Sequence, residues 1–96
     1  MVHYTYVLRC DDGSLYTGYT NNVSRRVEEH NNGDGAKYTS GRTPVKVVYV
    51  QMHTSKSCAM SKEYSFKQLS KQEKESKVGD TDKIQVDFCT ECYDVL

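Results

Sequence analysis

Apolar and polar side chains alternate along the first twenty residues, in two runs that a polar turn separates. The runs His3 to Arg9 and Ser14 to Thr20 place aliphatic or aromatic residues at about every second position, the period of a β-strand with one buried face. Between them lies Asp-Asp-Gly, a sequence typical of tight turns. Residues 3–20 are therefore predicted to form a β-hairpin.

Beyond the hairpin the apolar spacing changes to that of a helix. Val23, Val27 and His30 fall on one face of a helix that an asparagine at position 21 or 22 can cap. Gly33 ends this helix, and residues 31–44 form a glycine-rich loop. A valine-rich strand is predicted over residues 45–52.

The C-terminal half contains two more helical patterns. Ser57 is predicted to cap the first, in which Ala59, Glu63 and Phe66 share one face. The segment 70–73, Ser-Lys-Gln-Glu, matches a capping box and starts a shorter polar helix. The element order β-β-α-β-α-α predicts an α+β domain, with a three-stranded, mainly antiparallel sheet flanked by helices.

Chain length and charge set the expected domain limits. Ninety-six residues suit one domain, which we place at residues 1–79. This segment carries 12 Lys and Arg against 8 Asp and Glu, whereas residues 80–96 carry one Lys against five acidic residues. The second segment is therefore predicted to be an acidic tail, either loosely packed or folded over a basic face as an intramolecular decoy.

Apolar runs and cysteines bear on the compartment and on cofactors. No apolar run approaches the roughly 18 residues of a membrane span, and the first residues do not resemble a signal peptide. We therefore expect an intracellular protein, cytoplasmic or nuclear, with no membrane partner and with thiols rather than disulfides. Cys10 is interpreted as a core residue. Cys89 and Cys92 form one C-x-x-C pair, but a structural zinc site takes four ligands, so zinc is not expected.

Two tyrosines are notable because the hairpin brings their strands together. Tyr6 and Tyr16 lie on neighbouring strands joined by a tight turn, so their phenol groups are expected near each other. Gly18 removes a side chain from the strand face of Tyr16. It marks either a bulge or a place where a bulky ligand, such as a nucleic-acid backbone, approaches the sheet.

Three titratable residues occupy helix faces that are otherwise apolar. Arg26 and His30 are four residues apart and so lie on the same helix face. They are either a snorkelling arginine and a half-buried histidine or the two parts of an anion site. Glu63 shares a face with Ala59 and Phe66, where an unpaired carboxylate is unfavourable. It therefore needs either a basic partner or a metal ion, and a lone carboxylate suits Mg²⁺.

Taken in order, these residues resemble the GIY-YIG nuclease superfamily. The matching segments are "YTYVLRCDDGSLYTGYTNNVSRRVEEHNNGDGAKYTSGRTPVKVVY" and "AMSKEYSFKQLSKQEK", which are similar to its small, single-domain, UPF0213-like branch. The resemblance extends from Tyr4 to about Lys77. It implies a three-stranded antiparallel sheet flanked by helices, and metal-dependent cleavage of DNA phosphodiester bonds.

The resemblance also implies a role for each matching residue. Tyr6 and Tyr16 stand at the two tyrosine motifs, and Tyr16, or Tyr6 in relay with it, would be the general base. Arg26 and His30 match catalytic positions on the first helix, and Glu63 matches the glutamate that binds one Mg²⁺ or Mn²⁺ ion. The residues assigned to substrate binding are Gly18, Tyr19, Lys37, Tyr38 and Arg42.

The resulting hypothesis is a metal-dependent DNA endonuclease of DNA repair, recombination or processing. Its candidate substrates include branched, flap and single-stranded DNA. The alternative is a nucleic-acid-binding module that keeps the nuclease fold without catalysis. In that case aromatic residues together with Lys37, Arg42 and Lys46 would contact bases and backbone.

Overall fold

A computed structural model describes residues 2–79 and 84–88 of the chain. These residues form four strands and three helices, and none of the helices among them is long and apolar enough to cross a membrane. The elements are β1 His3–Arg9, β2 Leu15–Thr20, α1 Val23–Asn31, β3 Lys46–His53, α2 Lys56–Lys67, α3 Lys71–Val78 and β4 Gln85–Phe88. The predicted α+β class and the order of the first six elements are confirmed.

The four strands form one mixed sheet in the order β2-β1-β3-β4. β1 is antiparallel to β2 and β3, whereas β4 pairs with β3 in parallel. The sheet therefore has one strand more than the three that the sequence predicted. All four residues of β4 are exposed. The strand is held by backbone pairing and by the Tyr49 hydroxyl, which donates to Asp87 at 2.9 Å. It therefore lacks the buried alternation by which a strand is recognised in a sequence.

The register of the hairpin determines which side chains meet. Tyr6 lies opposite Gly18, and Leu8 lies opposite Tyr16, so the two tyrosines are diagonal neighbours on one face of the sheet. β2 is an edge strand. The side chains of this face therefore lie at the border of the sheet, where a large ligand can approach.

Two apolar clusters pack on opposite faces of the sheet. Tyr6 and Leu8 point to one face, which α1 covers with Val27. The intervening Val7 points to the other face, which α2 and α3 cover. The buried members of this second cluster are Val7, Val48, Tyr49, Phe66 and Val78. The helices thus stand on both faces and leave the edge at β2 between them.

Side-chain caps determine where the helices begin. Asn22 caps α1, and Ser70 forms the predicted capping box with Glu73 at the start of α3. In α2 the prediction was wrong, because Ser55 caps the helix and Ser57 lies inside it. Both serines satisfy the sequence rule for a cap, and the direction of the chain as it leaves β3 selects the first.

The cysteines agree only in part with the expectation of thiols. Cys10 is a buried free thiol in the core, as predicted. Cys58 is disulfide-bonded, so the expectation was wrong at this position; it rested on the compartment, which does not determine the geometry of any one pair. Cys89 and Cys92 lie outside the described residues, as does most of the predicted acidic tail.

Candidate functional site

Four aromatic rings from four segments form a cluster beside the edge strand β2. The ring centroids of Tyr6 and Tyr16 are 6.5 Å apart, and that of His30 lies 5.8 Å from the first and 5.2 Å from the second. Tyr38, in the loop after α1, stacks on Tyr16 at a centroid distance of 5.9 Å. The fold thus brings three of the predicted catalytic residues and one predicted substrate-binding residue together.

Tyr6 is the buried member of this cluster. It is only 1% exposed, and its hydroxyl donates a hydrogen bond to Nε2 of His30 at 2.8 Å. Burial raises the pKa of Tyr6 to about 12, although the neighbouring Arg26 guanidinium acts to lower it. At neutral pH Tyr6 is therefore a protonated hydrogen-bond donor and a poor proton acceptor.

The hydrogen bonds of His30 determine which ring nitrogen carries its proton. The Thr39 hydroxyl donates to the carbonyl of Ala36 at 3.1 Å, so it accepts from Nδ1–H of His30 at 2.7 Å. Nε2 is then unprotonated and accepts from Tyr6. Burial, together with repulsion from Arg26, lowers the pKa of His30. The imidazole is thus neutral and fixed in one tautomer.

Two glycines make room for these rings. A Cβ atom on Gly18 would lie 2.5 Å from the hydroxyl oxygen of Tyr6, and one on Gly35 would collide with the imidazole of His30. Of the two interpretations of Gly18, a bulge or a ligand approach, neither holds: its pairing with Tyr6 is regular, and the phenol of Tyr6 fills the space beside it. Both glycines serve the packing of the cluster.

Arg26 lies on α1, one turn before His30. Its guanidinium donates to the carbonyl of Gly35 at 2.6 Å and pairs with Glu29 at 3.1 Å, and its side chain remains 30% exposed. The guanidinium also acts to lower the pKa of the Tyr6 phenol. Arg26 is thus held in position while part of its surface stays open to an anion.

Tyr16 differs from Tyr6 in its exposure and contacts. It is half-buried, and its ring stacks on that of Tyr38. Arg42 covers Tyr38 in a cation–π contact, with Cζ 4.3 Å from the ring centroid. Nε of Arg42 donates to Asp12 in the hairpin turn at 3.0 Å. The loop is thereby tied to the hairpin beside Tyr16.

Glu63 reaches the cluster from the opposite face of the sheet. It follows the buried Ala59 by one turn of α2, and its side chain is 20% exposed. Its charge acts on the titration of Tyr6. Nζ of Lys67 pairs with Oε2 of Glu63 at 3.1 Å and lies 5.9 Å from the ring centroid of Tyr16. A carboxylate and an ammonium thus join the aromatic cluster at the edge of β2.

Glu63 is the residue whose chemistry fits a metal ion. Within residues 2–79 and 84–88, no group of three His, Cys, Asp or Glu side chains is arranged to hold one. A single carboxylate suits Mg²⁺ or Mn²⁺, since such hard cations take oxygen ligands and complete their shell with water and phosphate oxygens. The donor set therefore fits one such ion, and it does not fit zinc, which takes three or four protein ligands.

Tyr19 and Lys37 were also assigned to substrate binding, and their side chains are not among the four clustered rings. Tyr19 points to the opposite face of β2 from Gly18, and its hydroxyl forms a hydrogen bond with Nδ1 of His3 at 2.8 Å. Lys37 lies in the loop after α1 with its side chain exposed. Tyr19 thus points away from the face of Tyr16, but it lines the groove at the end of β2 together with Arg26.

Open grooves lie at both ends of β2. The groove at the start of the strand is lined in part by Lys71 and Lys74 of α3, with Tyr38 beside them. The groove at the end of the strand is lined in part by Arg25 and Lys56, with Tyr19 beside them. In each groove the basic side chains outnumber a single glutamate, so both can take phosphate groups.

Sequence patterns had not identified two residues of the site. Thr39 lies in an aperiodic loop, and no sequence signal marks its contact with His30. Lys67 follows Glu63 by four residues on a helix. That spacing is typical of an ion pair and was a signal available in the sequence.

Comparison with known proteins identifies a family. A model of the GIY-YIG catalytic domain matches residues 2–76. A UPF0213 protein of Natronomonas pharaonis is 58% identical over 78 residues, which cover 81% of this chain and 92% of that protein. A UPF0213 protein of Bacillus licheniformis is 50% identical over 86 residues, which cover 90% of this chain and 89% of that protein. The names of these relatives assign no activity.

Solved structures agree with the fold. The solution NMR structure of a UPF0213 protein from Bacillus halodurans has a TM-score of 0.54 at 51% identity, and covers 81% of this chain and 83% of that chain. The solution NMR structure of a protein from E. faecalis has a TM-score of 0.57 at 44% identity, with the same coverage of both chains. The similarity in sequence thus extends to the arrangement of the backbone.

Proposed function

Because the chain belongs to the GIY-YIG family, we propose that it is an endonuclease that hydrolyses DNA phosphodiester bonds with a divalent metal ion. The observation that carries the proposal is the grouping of Tyr16, Arg26 and Glu63, from three different elements, around Tyr6: the ring centroid of Tyr16 lies 6.5 Å from that of Tyr6, and the charges of the other two act on the Tyr6 phenol. A proton acceptor, an anion-binding fork and a metal ligand are the groups that phosphodiester hydrolysis requires.

Tyr16 is the general base in this proposal. A free phenol has a pKa of about 10, so it takes a proton from water near neutral pH only beside positive charge. Tyr16 is accessible, and the ammonium of Lys67 lies 5.9 Å from its ring centroid. Tyr6 and His30 are positioning residues, since both are buried and hydrogen-bonded to each other.

Arg26 and Glu63 would offset the negative charge of the phosphate, the first directly and the second through a bound metal ion. The guanidinium of Arg26 offers a planar set of donors that matches phosphate oxygens, and it stabilises the negative charge that develops as water attacks. Glu63 would hold one Mg²⁺ or Mn²⁺ ion, which supplies further positive charge when it is bound. A single carboxylate suffices because phosphate oxygens and water complete the coordination of the ion.

The substrate is proposed to run along β2, from one basic groove to the other. The six residues of this strand span roughly 20 Å at about 3.3 Å per residue. That length corresponds to about six nucleotides of a duplex strand. Tyr38 is 41% exposed, and because Tyr16 and Arg42 lie against its ring, it would offer an unpaired base the edge of the ring and its hydroxyl. Branched, flap or single-stranded DNA would supply such bases, which points to a role in repair or recombination.

A second candidate function is binding of nucleic acid without catalysis. The ion pair of Glu63 with Lys67 favours it, because it neutralises the carboxylate without a metal ion. In such a module the basic grooves and Tyr38 would hold the nucleic acid, and the affinity would be indifferent to Mg²⁺ and to Glu63→Ala.

The test is a cleavage assay on plasmid, flap, branched and single-stranded DNA with Mg²⁺, with Mn²⁺ and with a chelator. We expect metal-dependent cleavage that falls by about 100-fold or more in Tyr16→Phe, the range for loss of a general base. Cleavage should fall by a similar factor in Glu63→Gln, because this substitution removes the proposed metal ligand. Tyr64→Phe is the matched control, since Tyr64 is 68% exposed and adjacent in sequence to Glu63.

The outcomes separate the two functions. Cleavage that survives both Tyr16→Phe and Glu63→Gln would contradict the proposed site. Absence of cleavage on every substrate, together with salt-sensitive and metal-independent DNA binding, would establish the binding module instead.

A further inference from the structure

The ion pair between Glu63 and Lys67 occupies the carboxylate that we assign to the metal. The two side chains are 20% and 46% exposed, and their charged atoms are 3.1 Å apart. We propose that Lys67 competes with the metal ion for Glu63: its ammonium neutralises the carboxylate in the metal-free protein, and when the ion binds it gives up this pairing and keeps its contact with the ring of Tyr16. This inference rests on the proposed metal site.

The position of Glu63 explains why the metal-free protein requires a counter-ion. Glu63 is partly buried, with its side chain 20% exposed, and it lies one turn from the completely buried Ala59 and three residues before the buried Phe66. A carboxylate that is partly removed from water loses hydration, and without a partner it destabilises the folded chain. Lys67, one turn further along α2, is placed to supply the opposite charge.

The same geometry allows Lys67 to leave. A lysine ammonium is a point charge on a flexible stem, so it makes no bidentate contact that would hold it on the carboxylate. The 5.9 Å between Nζ and the ring centroid of Tyr16 is within the range of a cation–π contact. Release from Glu63 therefore leaves the ammonium with a second partner, on the surface of the residue proposed as the general base.

Other basic residues near the site are bound differently. Arg26 pairs with Glu29 on its own helix and also donates to the Gly35 carbonyl. Arg42 pairs with Asp12 in the hairpin turn. Neither arginine contacts Glu63 in these pairs, so the counter-ion role belongs to Lys67.

The test is a titration with Mn²⁺ alone, followed by paramagnetic broadening of amide signals in NMR spectra of the full chain. The variants are Lys67→Met, Lys67→Arg and Glu63→Gln. Lys62→Met is the matched control, because Lys62 is on the same helix but lines a cavity with Thr5 and Tyr49 on the far side from Tyr16. The spectra also show whether each variant is folded, and no DNA is required.

We expect broadening centred on Glu63 and a Mn²⁺ affinity about two- to fivefold tighter in Lys67→Met, the fold-change for loss of an exposed ion pair. Lys67→Arg should bind no more tightly than the unaltered chain, because the charge is retained. Lys62→Met should change the affinity by about 1.5-fold or less, since salt screens more distant charges. Glu63→Gln should remove the broadening near position 63, with or without Lys67→Met.

Three results would overturn the inference. They are an unchanged affinity in Lys67→Met, a change that Lys62→Met reproduces in full, and the absence of broadening at Glu63 in both the unaltered chain and Lys67→Met. Competition for Mn²⁺ without any DNA cleavage would support the inference while contradicting the proposed nuclease function, so the two failures are distinguishable.

Discussion

Tyr6 and Tyr16 have the same side chain, and their surroundings give them different chemistry. Tyr6 is enclosed by the sheet and α1, and its hydroxyl donates a hydrogen bond to a neutral imidazole whose tautomer is fixed by Thr39. Tyr16 lies nearer the surface, in contact with the ammonium of Lys67. Burial raises the pKa of the first phenol, whereas the second is accessible from solvent.

The two tyrosines should therefore respond differently to loss of the hydroxyl. Tyr6→Phe leaves the buried Nε2 of His30 without a donor, and we expect the free energy of unfolding to fall by about 1 to 3 kcal/mol. Tyr16→Phe should change it by about 0.5 kcal/mol or less, as for a partly exposed site. Urea unfolding followed by circular dichroism measures both. Equal losses in the two variants would contradict the division of roles.

At the scale of single residues, the sequence predicted which side chains lie together better than it predicted the surroundings of each one. Tyr6, Tyr16, Arg26 and His30 were selected from spacing and family resemblance, and the fold brings them together. Their separate roles depend on burial and on Thr39, which approaches from a loop. Spacing along a chain does not report burial by a distant segment.

Among the elements, α3 is positioned by a two-pronged ion pair with the hairpin. Nη1 and Nη2 of Arg9 donate to the two carboxylate oxygens of Glu75 at 2.6 and 2.8 Å. The hydrogen bonds from Arg9 lower the pKa of Glu75. Such bidentate geometry holds a helix in one orientation more firmly than a single contact does. It directs Lys71 and Lys74 toward the groove beside Tyr38.

Removal of these two lysines should weaken DNA binding in a salt-dependent way. If each ammonium neutralises one phosphate, Lys71→Gln combined with Lys74→Gln should reduce the slope of log affinity against log salt by about 1.4 to 1.8. Fluorescence anisotropy with a labelled oligonucleotide at several salt concentrations measures this slope. The matched control is Lys62→Gln with Lys77→Gln, since both line the cavity with Thr5 and Tyr49. If the slope falls by the same amount in the control variant, the effect comes from net charge alone, and the prediction is contradicted.

Elements with a buried face were predictable, and the exposed one was not. β1, β2 and α1 have a periodic apolar pattern, and the capping box at Ser70 marks the start of α3. β4 has no buried side chain, so only its backbone pairing with β3 defines it. Pairing of that kind depends on the free edge of another strand, which the local sequence does not reveal.

The whole molecule contains buried histidines on both sides of its sheet. His30 lies on the α1 side, and burial lowers its pKa. His53 is 2% exposed, its Nε2 donates to the Thr5 hydroxyl at 2.9 Å, and burial likewise lowers its pKa. There is therefore a pH range in which both imidazoles are neutral in the folded chain, whereas the same two histidines are already protonated in the unfolded chain.

Stability should consequently fall as the pH is lowered through about 6.5, the ordinary pKa of histidine. Below that value the unfolded state takes up protons that the folded state excludes, so the free energy of unfolding rises with pH. Each histidine adds a slope of up to about 1.4 kcal/mol per pH unit. Urea unfolding at pH 7.5, 6.5 and 5.5 measures the slope, and His30→Gln should make it shallower. A flat profile would contradict two neutral buried imidazoles.

The position of β2 at the border of the sheet determines how the site responds to warming. Tyr16 is part of this strand, whereas Glu63 belongs to α2 on the opposite face. A border strand has a hydrogen-bonded neighbour on one side only, so brief local openings affect it before the central strands. Warming should therefore separate Tyr16, the proposed base, from Glu63, the proposed metal ligand, while the rest of the chain is still folded. DNA or a metal ion that contacts both would close the strand, and amide exchange in β2 would slow accordingly.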